Sequence, residues 1–168
     1  MATNDKLTEK SVQRILASDR DLVKRHDVMI PNCFTSYDNE ADMFCIRKSG
    51  LCDEIEIKVS RADFRIDEKK IVQIAESVSL SGRTKWSRIS KREALQAGKM
   101  SNYFWYCMPE GIVDPSEVPE WAGLLHIVNG RVKTIRSAKR LHGDKMSYED
   151  RFKAARKLGY RYWNEVLA

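Results

Sequence analysis

The sequence predicts a mixed α/β sandwich, one sheet with helices on both faces. Three observations predict it. Capped amphipathic segments stand near both ends of the chain. Residues 54–59 alternate charged and apolar side chains, the signature of a strand. Two further runs, Tyr103–Met108 and Gly123–Val128, are almost wholly apolar, as strands covered on both faces are.

The elements follow in order. A first helix is expected over residues 8–18, with Thr8 as cap, Leu7 as staple and Val12, Ile15 and Leu16 on one face. Glu9 stands one turn before Val12, toward the core side; it is either a dipole-favoured first-turn acid or a site residue. Strands are expected at 27–30 and 41–46. The turn Arg47-Lys48-Ser49-Gly50 then leads into a strand over 51–59, and the short loop makes this an antiparallel hairpin. Ile55, Ile57 and Val59 share one face, and Glu54, Glu56 and Lys58 the other.

After the hairpin, Ser60 and Asp63 read as a capping box. Phe64, Ile71, Ile74, Ala75 and Val78 fall at helical spacing, which predicts a helix closing at residues 79–82. The basic stretch 83–99 interrupts the pattern and reads as partly helical. Pro109 to Gly111 ends the strand from Tyr103, and Asn129-Gly130 turns the strand from Gly123 into a partner over 131–135. A last helix starts at Ser147, with Phe152, Ala155, Leu158, Tyr162 and Val166 as its apolar face.

At 168 residues and 19.5 kDa, the chain predicts one domain over 1–168, with a basic insertion near 80–100 and a C-terminal helix near 147–167. No apolar run approaches the ~20 residues that span a bilayer. Residues 1–6 lack a signal-peptide layout, so a cytoplasmic protein is expected. The four cysteines form no C-x-x-C pair; reduced buried thiols are expected, and neither zinc ligation nor a disulfide framework. No phosphate-binding G-x-x-x-x-G-K-[ST] loop occurs, so nucleotide hydrolysis has no support. The three histidines are widely spaced and match no catalytic or zinc motif.

Net charge is +6, unevenly spread. Residues 82–100 carry six bases against Glu93, residues 101–130 carry four acids and no base, and residues 131–161 carry eleven bases against three acids. An acidic centre flanked by basic segments suits a polyanion partner with a cation site, or else the basic helices are solvated faces. Trp86, Tyr148, Tyr160 and Trp163 are either base-stacking or packing residues.

Glu, Glu and Lys at alternate positions of one strand carry the chemical signal. On a solvent face they are ordinary surface charges; under helices they need each other or a metal. If the register sets Asp42 opposite or diagonal to Glu56, two carboxylates reach one cation. Hard oxygen ligands suit Mg²⁺ or Mn²⁺ completed by water and phosphate.

Asp42 followed by Glu56-Ile57-Lys58 resembles the D…(D/E)-x-K motif of the PD-(D/E)XK nuclease superfamily. Residues Glu56 to Phe64, then Asp67 and Lys69, are similar to the E-x-K-x-S-x-x-D-F-x-x-D-x-K stretch of MmcB-like DNA-repair proteins and their phage-encoded relatives. The strand from Tyr103, then Pro109-Glu110-Gly111 and Val118 to Leu124, is similar too, so the resemblance covers residues 40–128. It implies a restriction-endonuclease-like core and a Mg²⁺- or Mn²⁺-dependent DNA endonuclease of repair, recombination or phage DNA processing, in a bacterial or phage-infected cell. Asp42, Glu56 and Lys58 would be catalytic, with Glu9 as the first-helix glutamate and Asp42, Glu56 and Ile57 at the metal. The basic stretch 83–99 lies outside the matched blocks, and its composition alone adds Arg83, Lys85, Arg88, Lys91 and Arg92 to Ser60 and Lys69 as expected contacts to duplex, branched or single-stranded DNA; a homodimer is compatible with such an enzyme. The alternative is a non-catalytic nucleic-acid-binding module that keeps the nuclease fold.

Overall fold

A computed structural model of the chain describes residues 7–35, 39–78 and 82–168. The leader reading of residues 1–6 and the helix end placed at 79–82 fall wholly or partly outside them.

The chain opens with α1 (Glu9–Ser18) and α2 (Arg20–Arg25), then β1 (His26–Phe34), β2 (Glu40–Arg47) and β3 (Cys52–Ile57). It continues through α3 (Arg61–Asp67), β4 (Ile71–Val78), β5 (Thr84–Ser90), α4 (Lys91–Gln96) and β6 (Tyr103–Pro109). It closes with β7 (Gly123–Val128), β8 (Arg131–Arg136) and α5 (Tyr148–Leu167). Six strands form one sheet in the order β1-β2-β3-β6-β7-β8, and β4 and β5 form a separate two-stranded ribbon. The centre β3-β6-β7 is parallel, and an antiparallel hairpin flanks it on each side. The expected mixed sheet flanked by helices is what forms.

Local chemistry accounts for most boundaries. The Thr8 side chain accepts from Ser11 N–H at 3.2 Å and starts α1. Asp19, accepting from the amides of Asp21 and Leu22, caps α2, a helix the periodicity did not reveal. Gly50 (φ +88°) turns β2 into β3, and Asn129 and Gly130, both at positive φ, form the two-residue turn between β7 and β8.

Each sheet face has its own core. Val12, Leu16, Met43, Cys45, Ile55, Ile57, Cys107 and Leu125 pack under α1. Phe64, Val72, Leu95, Phe104, Tyr106 and Leu124 pack on the other face, under α3, α4 and the ribbon. All four cysteines are free and buried.

Two expectations are corrected. The helix predicted from Ser60 to Val78 ends at Asp67, and residues 71–78 form a strand. Val72 and Ile74 are buried while Ile71 and Ala75 are exposed, a period of two, and Val78, beyond the register shift between Ala75 and Ser77, is exposed as well. The basic segment supplies the pairing partner, since β5 matches Val72 with Ile89 and Ile74 with Ser87. In α5, the predicted face is largely solvent-exposed: Phe152, Tyr162 and Val166 lie open, and Ala154 is buried instead. Backbone carbonyls set this roll. Arg151 donates to Met146 O, Lys157 to Phe34 O, and Arg161 to the carbonyls of Pro31 and Asn32. Arg136 likewise grips the carbonyls of Ala122, Val118 and Pro119. Four bases of the 131–161 segment therefore serve as clamps within the fold.

Candidate active site: a buried acid–lysine cluster

The β2–β3 register builds the site. Met43 pairs with Ile55 and Phe44 with Glu54, so the next step sets Asp42 across from Glu56 on one face. The ladder stops there. Ile57 N–H donates to Asp42 Oδ2 at 2.7 Å, a side chain taking the bond a continuing strand would supply. Because Ile55 and Ile57 fill the core under α1, Glu54 and Glu56 must turn to the opposite face, where α3 and α4 bury both.

Burial forces these carboxylates to find cations. Lys58 Nζ lies 2.8 Å from Glu56 Oε1 and Lys70 Nζ 3.1 Å from the same oxygen. Lys91 Nζ lies 2.7 Å from Glu56 Oε2 and 2.7 Å from Glu54 Oε1, and Asn39 donates to that Glu54 oxygen at 2.9 Å. Lys58 also lies 3.2 Å from Asp67 Oδ1, outside hydrogen-bond geometry, so that contact is electrostatic. Tyr106 donates to Asp67 Oδ2 at 2.7 Å.

Burial disfavours the Glu56 charge, but Lys91, Lys58 and Lys70 overcome it and hold the carboxyl well below its usual range. Burial also disfavours the Lys58 and Lys91 ammoniums. Glu56 and Asp67 for Lys58, and chiefly Glu54 and Glu56 for Lys91, reverse the effect and raise both. Asp42 behaves oppositely. Burial first, then the Glu56 charge, pushes it up to about 7 against the Ile57 hydrogen bond and Lys58, with Glu9 adding to the rise.

The expected residues divide accordingly. Asp42, Glu56 and Lys58 come together. Glu9 is exposed at the mouth, accepting from Gln13 and Asn32, while Gln13 also donates to Asp42 O. Ser60 caps α3, accepting from Asp63 N–H and donating to Asp63 Oδ2. Lys69 stays on the surface, and Arg83, Lys85 and Arg88 are exposed on the ribbon. Arg92 is half-buried beside Glu68. Lys91 is a correction: it is 2 % exposed, because Ser90 caps α4 and turns its first residue inward onto the carboxylates. Lys70 and Tyr106 were not anticipated, and Glu54 was expected on the charged face without a role of its own. A strand beginning at Ile71 would have drawn notice to Lys70, the residue just before it.

Among the described residues, no three His, Cys, Asp or Glu side chains converge as a metal-holding group. That is compatible with Mg²⁺, which proteins hold through one or two carboxylates plus water and phosphate. Asp42 offers an electrostatic reason for a cation: its charge is unfavourable beside Glu56 and Glu9, and a cation would relieve it. Glu56 could share such a cation only by yielding a lysine. The donor set therefore fits one hard cation at the Asp42 edge of the cluster.

No protein-family model and no curated protein matches the chain. Among solved structures, it is similar to a protein of unknown function from Silicibacter pomeroyi. The TM-score is 0.56 at 17% identity, over 94% of this chain and 84% of that one. At that identity the likeness establishes the fold alone. Among the described residues, no helix is long and apolar enough to cross a membrane.

Proposed function

We propose that the protein is a Mg²⁺- or Mn²⁺-dependent DNA endonuclease of the PD-(D/E)XK type. The observation that carries this reading is the placement of Asp42 across from Glu56, with the Lys58 ammonium 2.8 Å from Glu56 on the same face. Asp42 would hold the cation, and Glu56 would join it once one of its lysines yields. When bound, a cation of this class neutralises phosphate charge and activates water. Lys58, fixed between Glu56 and Asp67, faces the developing charge at the scissile phosphate. Tyr106 holds Asp67, and so steadies Lys58 from behind. Lys70 is the most open of the three lysines, its side chain 32% exposed, and is placed to meet incoming phosphate. The fold and the exposed bases of the ribbon support a DNA substrate; their contacts would be to backbone phosphates.

One observation favours the second reading, a non-catalytic nucleic-acid-binding module: both Glu56 oxygens are already in ion pairs. Lys58→Ala separates the two. One lysine adds little to a many-phosphate footprint, yet it acts where charge develops. Cleavage of labelled linear, nicked and branched DNA with Mg²⁺ or Mn²⁺ should fall roughly a hundredfold or more, with binding nearly intact. If the wild type binds DNA yet cuts no DNA or RNA with either metal, the module reading stands instead.

A further inference from the structure

The β4–β5 ribbon has one face in the core and, among the described residues, one turned to solvent. Val72 and Ile74 are buried, with Ile89 packed beside them. The alternation sends Ile71, Gln73, Ala75, Trp86 and Arg88 to the outer face, where Gln73 pairs with Arg88 and Ala75 with Trp86. The Trp86 indole is 52% exposed, although burying an aromatic ring is worth more than burying almost any other side chain. Its cross-strand partner is a single methyl group, too small to cover an indole. A register irregularity between Ala75 and Ser77 adds local twist at the level of the ring.

Charge selects the occupant. Arg88 stands on the outer face two residues from Trp86, and strand β5 carries no acid. The one acid of β4, Glu76, is offset by Lys85 at 3.0 Å. The open end of the ribbon, where Ile71 pairs with Ser90, leads to the candidate active site. Lys70 immediately precedes β4 and Lys91 immediately follows β5, and both contact Glu56. Trp86 lies five residues from Lys91, about 16 Å along an extended strand. A polyanion lying on the outer face would run from the indole toward the acid–lysine cluster.

We propose that this outer face is a stacking platform for single-strand-bearing DNA. Trp86 takes the face of an unpaired base, and Arg88 takes the adjoining phosphate. The inference rests on the nucleic-acid reading above and names its substrate class: DNA with an unpaired segment beside the cut site. Every base offers a π-face, so the platform is tolerant of sequence. A base inside a duplex is already stacked and gains little there.

Anisotropy titrations with labelled single strand, blunt duplex and flapped duplex test the proposal, using wild type, Trp86→Ala and Trp86→Phe. The alanine variant should bind single strand and flap about 5- to 150-fold more weakly and the blunt duplex less than about twofold more weakly. Phenylalanine should restore most of the loss. Far-UV circular dichroism should be unchanged, because the ring lies outside the core. Equal weakening on all three DNAs, no weakening on any, or a loss that phenylalanine does not restore would overturn the platform. Wild type that binds none of the three overturns the proposed function as well. Wild-type binding with an indifferent Trp86→Ala overturns the platform alone.

Discussion

Asp42→Asn should make the folded protein more stable above neutral pH. In the fold, burial and the neighbouring Glu56 charge raise the Asp42 carboxyl from 3.8 to about 7. The folded state therefore holds a proton that the unfolded chain releases, and stability falls as pH rises from about 4 through 7. At 1.36 kcal/mol per pKa unit, the cost of ionising Asp42 above pH 7 is at most about 4 kcal/mol. Water at the half-open mouth relieves part of it. Asparagine is nearly isosteric, carries no charge, and can still accept from Ile57 N–H through its carbonyl oxygen. Urea unfolding in chelator, followed by circular dichroism from pH 4 to 8.5, gives the difference between variant and wild type. That difference should rise with pH and level off above pH 7 at ~1–4 kcal/mol in favour of asparagine. A difference that is flat with pH, or a variant less stable at pH 8, would refute the claim that Asp42 is ionised at a cost. The same substitution should abolish any metal-dependent cleavage, a trade of activity for stability.

Lys91→Ala should behave in the opposite sense. It leaves Glu54 without its lysine and Glu56 with two of three, and should cost about 3–5 kcal/mol in urea unfolding. Lys69→Ala, on the surface one residue from the cluster, should stay within about 0.5 kcal/mol of wild type. Gly123→Ala should also destabilise, by about 1–3 kcal/mol. A Cβ there would fall 2.1 Å from the Trp105 ring, and Trp105 Nε1 is tied to buried Asp53 at 2.7 Å, so the ring has little freedom to retreat. A thermal midpoint equal to wild type would show that β6 and β7 can separate at that point.

Local signals in the sequence determined the α1 and α5 starts, the β2–β3 and β7–β8 hairpins and the buried central strands. Each rests on a cap, a turn pair or an apolar run that acts over a few residues. The grouping of Asp42, Glu56 and Lys58 was legible for the same reason, since two short strands and their turn nearly fix which side chains share a face. The ribbon was not legible, because Ile71, Ile74, Ala75 and Val78 satisfy a helical period when read alone. Only pairing with residues 84–90 makes the two-residue period win. The inward turn of Lys91 and Lys70 likewise needed the tertiary structure. A lysine's place is decided by whether a buried carboxylate within reach lacks a counter-charge, and the sheet brings Glu54 and Glu56 to Lys91 from more than thirty residues away. The roll of α5 was decided by the free carbonyls of β1 and the segment before the helix, which its arginines and Lys157 reach. Most of the apolar face predicted from periodicity was left in solvent, with Leu158 alone of its large residues packed against the core.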